Sequence, residues 1–158
     1  MTSIVYDVHV YVNAVVGPDS EYPRIHPVPP SSDNPSADCL SIAFDGDYRL
    51  HVSPHILRNI RRILGDQKWS AAAIEDYLEL ITDVVAVSGG TVTDPPRVAH
   101  DSRDHEDNLI LDLVVAAETD LLVTDDTDLT PLSPWRGVPI VRPHEFVQMV
   151  VRERRHSR

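Results

Sequence analysis

The chain has 158 residues, 42% of them hydrophobic, 25% charged, with a net charge of −11 and one cysteine. That suffices for one domain with a proper core and excludes a disulfide framework, a multi-cysteine zinc site and, with no apolar run near ~18–20 residues, a membrane span. The acidity also excludes a generic nucleic-acid-coating protein, whose affinity comes from a basic surface.

In chain order, Ile4-Val5-Tyr6 reads as a short buried strand running into Asp7, with a turn and helix through Val8, Val10, Val12 and Val15. Residues 17–36 hold Gly17 and six prolines and read as a long surface loop inside the domain. Ser36 to Phe44 reads as a helix capped by Ser36, with Ala37, Leu40, Ala43 and Phe44 inward. Tyr48 to Val52 is a strand. Ser53-Pro54 then opens a helix whose apolar face is Ile56, Leu57, Ile60, Ile63 and Leu64. Ser70 caps another helix, and Thr82 to Val87 reads as a turn into a strand before Gly89-Gly90. Asp104 starts the next helix. Leu121 to Thr124 is a strand stopped by Asp125-Asp126, Val138 to Val141 is the last strand, and Pro143 starts the closing helix. Strands alternating with helices predict a three-layer α/β/α sandwich with a mainly parallel sheet, a single domain over 1–150 and a basic C-terminal tail over 151–158. The N-terminus lacks a basic segment followed by an apolar one, so a cytoplasmic protein is expected.

The charge is concentrated. Asp94 to Asp128 contains eleven acids against two arginines. A run of carboxylates is ordinarily a solvated face, but these interleave with apolar runs. In an open α/β sheet, ligands bind beyond the carboxyl ends of the strands. Two strands meet acid there: one at Asp7, the other at Asp125-Asp126. Asp107 lies in the first turn of the helix before the second strand. Asp104 has a simple alternative as that helix's N-cap, and Asp107 as a carboxylate favoured by the helix dipole. Carboxylates gathered at one edge repel unless cations bind between them. All-oxygen donors select Mg²⁺ or Mn²⁺, which suits phosphodiester hydrolysis. The expected site is Asp7, Asp107 and Asp126, with Asp104 or Asp128 as a further carboxylate. Arg58, Arg61 and Arg62, at helical spacing, are candidate RNA-phosphate contacts.

At these residues the sequence resembles the PIN-domain family, in particular its bacterial VapC-like branch of toxins from toxin–antitoxin pairs. The resembling segments are Asp7-Val8-His9-Val10, Val52-Ser53-Pro54-His55-Ile56-Leu57-Arg58-Asn59, Asp107-Asn108-Leu109, Val123-Thr124-Asp125-Asp126-Thr127-Asp128-Leu129, and Gly137 to Phe146. The resemblance implies a Rossmann-like PIN sandwich and a Mg²⁺- or Mn²⁺-dependent ribonuclease. It implies an RNA substrate, a cognate antitoxin and a homo-oligomer, with no membrane partner. It makes Asp7, Asp107 and Asp126 both catalytic and metal-binding, with His9, Asn59 and Thr124 lining the site. Two positions depart from the family pattern. Asn59 stands where the family has its second acidic ligand, and His9 where it has an asparagine. The departure at Asn59 leaves open a second function, a catalytically weakened module that binds a protein or RNA without turnover.

Overall fold

Four short strands pair in parallel into one sheet, because each connection between them is long enough to carry the chain back across a face. The computed structural model describes residues 1–17, 20, 22 and 33–156. Its elements are β1 (Thr2–Tyr6), α1 (Val8–Asn13), α2 (Pro35–Phe44), β2 (Tyr48–His51), α3 (Pro54–Asp66), α4 (Ala71–Ser88), α5 (His105–Ala116), β3 (Leu121–Val123), β4 (Ile140–Val141) and α6 (Pro143–His156). The strand order is β2-β1-β3-β4. Helices cover both faces, giving the α/β/α sandwich.

The two central strands are apolar where both of their faces are covered, from Ile4 to Tyr6 in β1 and throughout β3. Ile4, Val5, Tyr6, Leu122 and Val123 are all solvent-free. Register places Val5 beside Leu122 and Tyr6 beside Val123. The residues that follow, Asp7 and Thr124, therefore emerge side by side at the carboxyl edge. On the other side of β1, Val5 pairs with His51, so Ser53 and the start of α3 reach the same edge. Helix α5 precedes a parallel strand and must descend before β3 climbs, which puts its N-terminus at that edge too.

Side-chain caps fix the helix starts. Asp7 accepts from Val8 N, Asn34 from Ala37 N, Ser53 from Ile56 N, Ser70 from Ala73 N and Asp104 from Glu106 N. Asn34, not Ser36, caps α2. The helix starts at Pro35, whose fixed φ suits the first turn, and Ser36 is buried within it. Phe44 does not face inward; at the end of α2 it is half exposed. The segment from Thr82 to Val87 is not a strand. It continues α4 to Ser88, where Gly89 closes the helix at φ 83°. Its Val84 and Val85 keep the helical stripe begun by Tyr77 and Ile81, so packing overrides β-propensity. The basic segment after residue 150 is helical as far as His156.

Most of the proline-rich stretch lies outside the described residues. Of its described members, Tyr22 packs on Trp69 and Tyr77 at ring distances of 5.8 and 5.3 Å.

Gly90 sits where α4 meets β2. A Cβ there would lie 1.7 Å from the Leu50 carbonyl oxygen. Gly65, inside α3, has open space around it. Gly90→Ala is expected to lower stability by about 1–3 kcal/mol or more. Gly65→Ala should raise it by about 0.5–1 kcal/mol. Urea unfolding midpoints of the two variants check the contrast.

Candidate metal centre

Asp7 follows β1 directly and is 4% exposed. Its two oxygens are both engaged: Val8 N donates to Oδ1 at 2.6 Å and Thr124 Oγ1 donates to Oδ2 at 2.6 Å. Thr124 is fully buried and in turn accepts from Asp126 N at 2.9 Å. One hydroxyl thus ties the first strand's carboxylate to the turn that carries the second. Asp126 Oδ1 accepts from Asp128 N at 2.8 Å, shaping that turn.

Asp107 comes from the opposite wall, in the first turn of α5, and is also 4% exposed. Ser102 Oγ donates to its Oδ2 at 3.3 Å. Ser102 is itself clamped by Asn108, which accepts from Ser102 N at 2.9 Å and donates to Ser102 O at 3.0 Å. The loop before α5 is pinned further back. Buried Asp112 accepts from Val98 N and Ala99 N, and Asp101 accepts from the Trp135 indole.

Asp7, Asp104, Asp107 and Asp126 line one cavity of about 180 Å³. His9, His55, Asn59, Arg62 and Glu106 complete its polar wall. Asp104, Asp107 and Asp128 can bring one oxygen each within 4.8 Å of one another. Of the proposed RNA contacts, Arg62 alone lines this cavity. Arg58 and Arg61 line a separate groove between α3 and α4, where Arg61 pairs with Glu75 at 2.9 Å. Thr124 lies beneath the cavity, behind Asp7.

The electrostatics follow from crowding. Burial raises the Asp107 carboxyl to about 8, reinforced by its hydrogen bond to Asp126 and by the charges of Asp126, Asp104 and Asp7. Burial also raises Asp7, against the hydrogen bonds from Thr124 and Val8 that lower it. Asp107 is therefore protonated at neutral pH unless a cation takes the proton's place.

Two wall residues escaped the sequence reading. His55 lies 2.8 Å from Glu106 across the cavity. Glu106 also accepts from Asn59 Nδ2 at 3.3 Å. The signal within reach was the four-residue spacing of His55 and Asn59, which places both on one face of α3. His51 is remote from this network, between Ser3 and Thr91 on β2.

A family sequence model described as PIN domain matches residues 3–128. The chain belongs to the PIN-domain family. PIN domains are generally nucleases and commonly use divalent metals. Asp104, Asp107 and Asp128 of this PIN domain lie close enough together to hold one. A comparison with curated proteins returned no match. Among the described residues of this PIN domain, no helix is long and apolar enough to cross a membrane.

A carboxyl with a raised folded-state pKa stabilises below its unfolded value, and that contribution is lost as pH rises through the folded value. In EDTA, the PIN domain should lose stability between about pH 4 and about pH 8 through Asp107. Asp107→Asn removes the group. Its melting temperature should exceed wild type's by a margin that widens over that window, while stabilisation by Mn²⁺ is lost. Thermal shift across pH, with and without Mn²⁺, measures both.

Thr124→Val removes the hydroxyl that joins Asp7 to the Asp126 turn. Mn²⁺ affinity should fall by about 10–100-fold, and Thr124→Ser should retain it. Calorimetric titration of Mn²⁺ into both variants separates hydroxyl loss from lost packing.

Proposed function

We propose that this PIN domain is a Mg²⁺- or Mn²⁺-dependent endoribonuclease and the toxin of a toxin–antitoxin pair. In this reading it acts in the cytoplasm as a homo-oligomer, with RNA as substrate and a cognate antitoxin as partner. The observation that carries the nuclease reading is the joining of Asp7, Asp104, Asp107 and Asp126 in one cavity. The toxin role rests on the resemblance of the sequence motifs.

The donor set fits a hard divalent ion. Every carboxylate oxygen in the cluster is the ligand type such ions select, and the charge excess is what an ion would offset. Asp7, Asp107 and Asp126 would hold it, with Asp104 and Asp128 beside Asp107. When bound, a divalent ion lowers the pKa of water and neutralises charge developing on phosphate. The chain's own groups do the positioning. Thr124 orients Asp7, the Ser102–Asn108 clamp orients Asp107, and Arg62 supplies positive charge to a polyanion entering an acidic cavity.

A second reading, a weakened module that binds RNA or protein without turnover, is favoured by the orientation of Asn59. Asn59 has no carboxylate to offer, and its amide oxygen is taken by Arg62 at 3.0 Å instead of being free for a metal.

Purified protein with Mn²⁺ is expected to cleave a mixed single-stranded RNA pool and to stop in EDTA. Asp126→Asn should cut the rate by about a hundredfold or more. Expression in a bacterial host should arrest growth, and Asp126→Asn should relieve the arrest. Binding of RNA without cleavage in Mn²⁺ would decide for the second reading.

A further inference from the structure

The replacement of the family's acidic residue by Asn59 looks like a loss when only the metal is considered. The hydrogen bonds around it describe a different arrangement. Asn59 Nδ2 donates to Glu106 Oε2 at 3.3 Å and to the His55 carbonyl at 3.2 Å, while Asn59 Oδ1 accepts from Arg62 Nη2 at 3.0 Å. That orientation is the one that satisfies both neighbours. Flipped, the amide would set oxygen against the Glu106 carboxylate and NH₂ against guanidinium.

Arg62 differs from its two neighbours on α3. Arg61 is held by Glu75 on the far side of the helix, and Arg58 lines that same groove. Arg62 lines the acidic cavity, and among the described residues no carboxylate pairs with it. A carboxylate at position 59 would be three residues from Arg62, at ion-pairing distance on a helix, and would neutralise it. The neutral amide fixes the guanidinium in place and leaves its full charge available. A guanidinium presents paired N–H donors that match two phosphate oxygens.

We infer that Arg62 is the phosphate-binding residue of the site, and that Asn59 is its positioning residue. The ligand is the phosphodiester backbone of single-stranded RNA at the mouth of the acidic cavity. The inference rests on the nuclease reading and names the contact that brings the substrate to it.

The test is the salt dependence of kcat/KM on a fluorogenic mixed-sequence single-stranded RNA in Mn²⁺. Each phosphate contact on a single strand contributes about 0.7 to the log–log slope. Arg62→Gln should flatten the slope by about that amount and raise KM about tenfold. Stabilisation by Mn²⁺ should stay at the wild-type level. Arg62→Lys should restore the slope, because charge is retained. Asn59→Ala should raise KM in the wild-type background and have no added effect in Arg62→Gln, as expected for two residues acting as one unit. A wild-type slope in Arg62→Gln overturns the inference, as does a slope that falls only on Arg58→Gln or Arg61→Gln. If the wild-type protein is neither stabilised by Mn²⁺ nor cleaves RNA, the nuclease reading falls and the inference with it. If it does both and Arg62→Gln behaves as wild type, the inference alone falls.

Discussion

Carboxylates brought together in one cavity repel one another, and the carboxyl edge of this sheet is built around that repulsion. Asp7 and Asp107 are both nearly solvent-free and face the same space as Asp126 and Asp104. Without a counter-charge the edge lowers its energy by keeping a proton on Asp107. A bound cation would replace that proton and turn an electrostatic cost into affinity. The fold maintains the unfavourable arrangement because each carboxylate is anchored by a group that serves the backbone as well. Asp7 caps α1, Thr124 closes the turn after β3, and the clamp around Ser102 holds the entry to α5.

Parallel pairing makes this convergence possible. Because β1 and β3 are neighbours in register, adjacent strand ends deliver Asp7 and Thr124 together although 117 residues separate them in sequence. The helix before β3 must begin at the same edge, which delivers Asp104 and Asp107. Helix α3, entered from β2 on the other side of β1, supplies a wall of different chemistry: His55, Asn59 and Arg62. The cavity therefore has an acidic floor and a hydrogen-bonded wall carrying one arginine. That division suits a reaction in which a cation and a phosphate must meet.

Much of this is legible in the sequence, and the limits are physical. The caps at Ser53, Ser70 and Asp104 announce their helices because the cap residue and the apolar stripe behind it agree. Ser36 misleads because it stands beside Pro35 and two residues from Asn34, and all three suit a helix start. Thr82 to Val87 misleads because β-branched residues read as strand until the stripe from Tyr77 is followed through them. The acidic positions can be found because they interrupt apolar runs at strand ends. The wall cannot. The bond from Asn59 to Glu106 joins residues 47 apart, and the pair that draws Arg61 toward Glu75 depends on how α3 lies against α4. Spacing alone groups three arginines on one helix. Only the packing of that helix separates Arg62 from the others.

Crowding at the sheet edge holds Asp107 protonated until a cation arrives. The most direct measurement is a carboxyl-carbon NMR titration of the metal-free protein, repeated with saturating Mg²⁺. The Asp107 carboxyl should titrate near 8 without metal and move well below neutrality when Mg²⁺ is present. An Asp107 resonance that titrates in the ordinary aspartate range without metal, and does not move when Mg²⁺ is added, would contradict it.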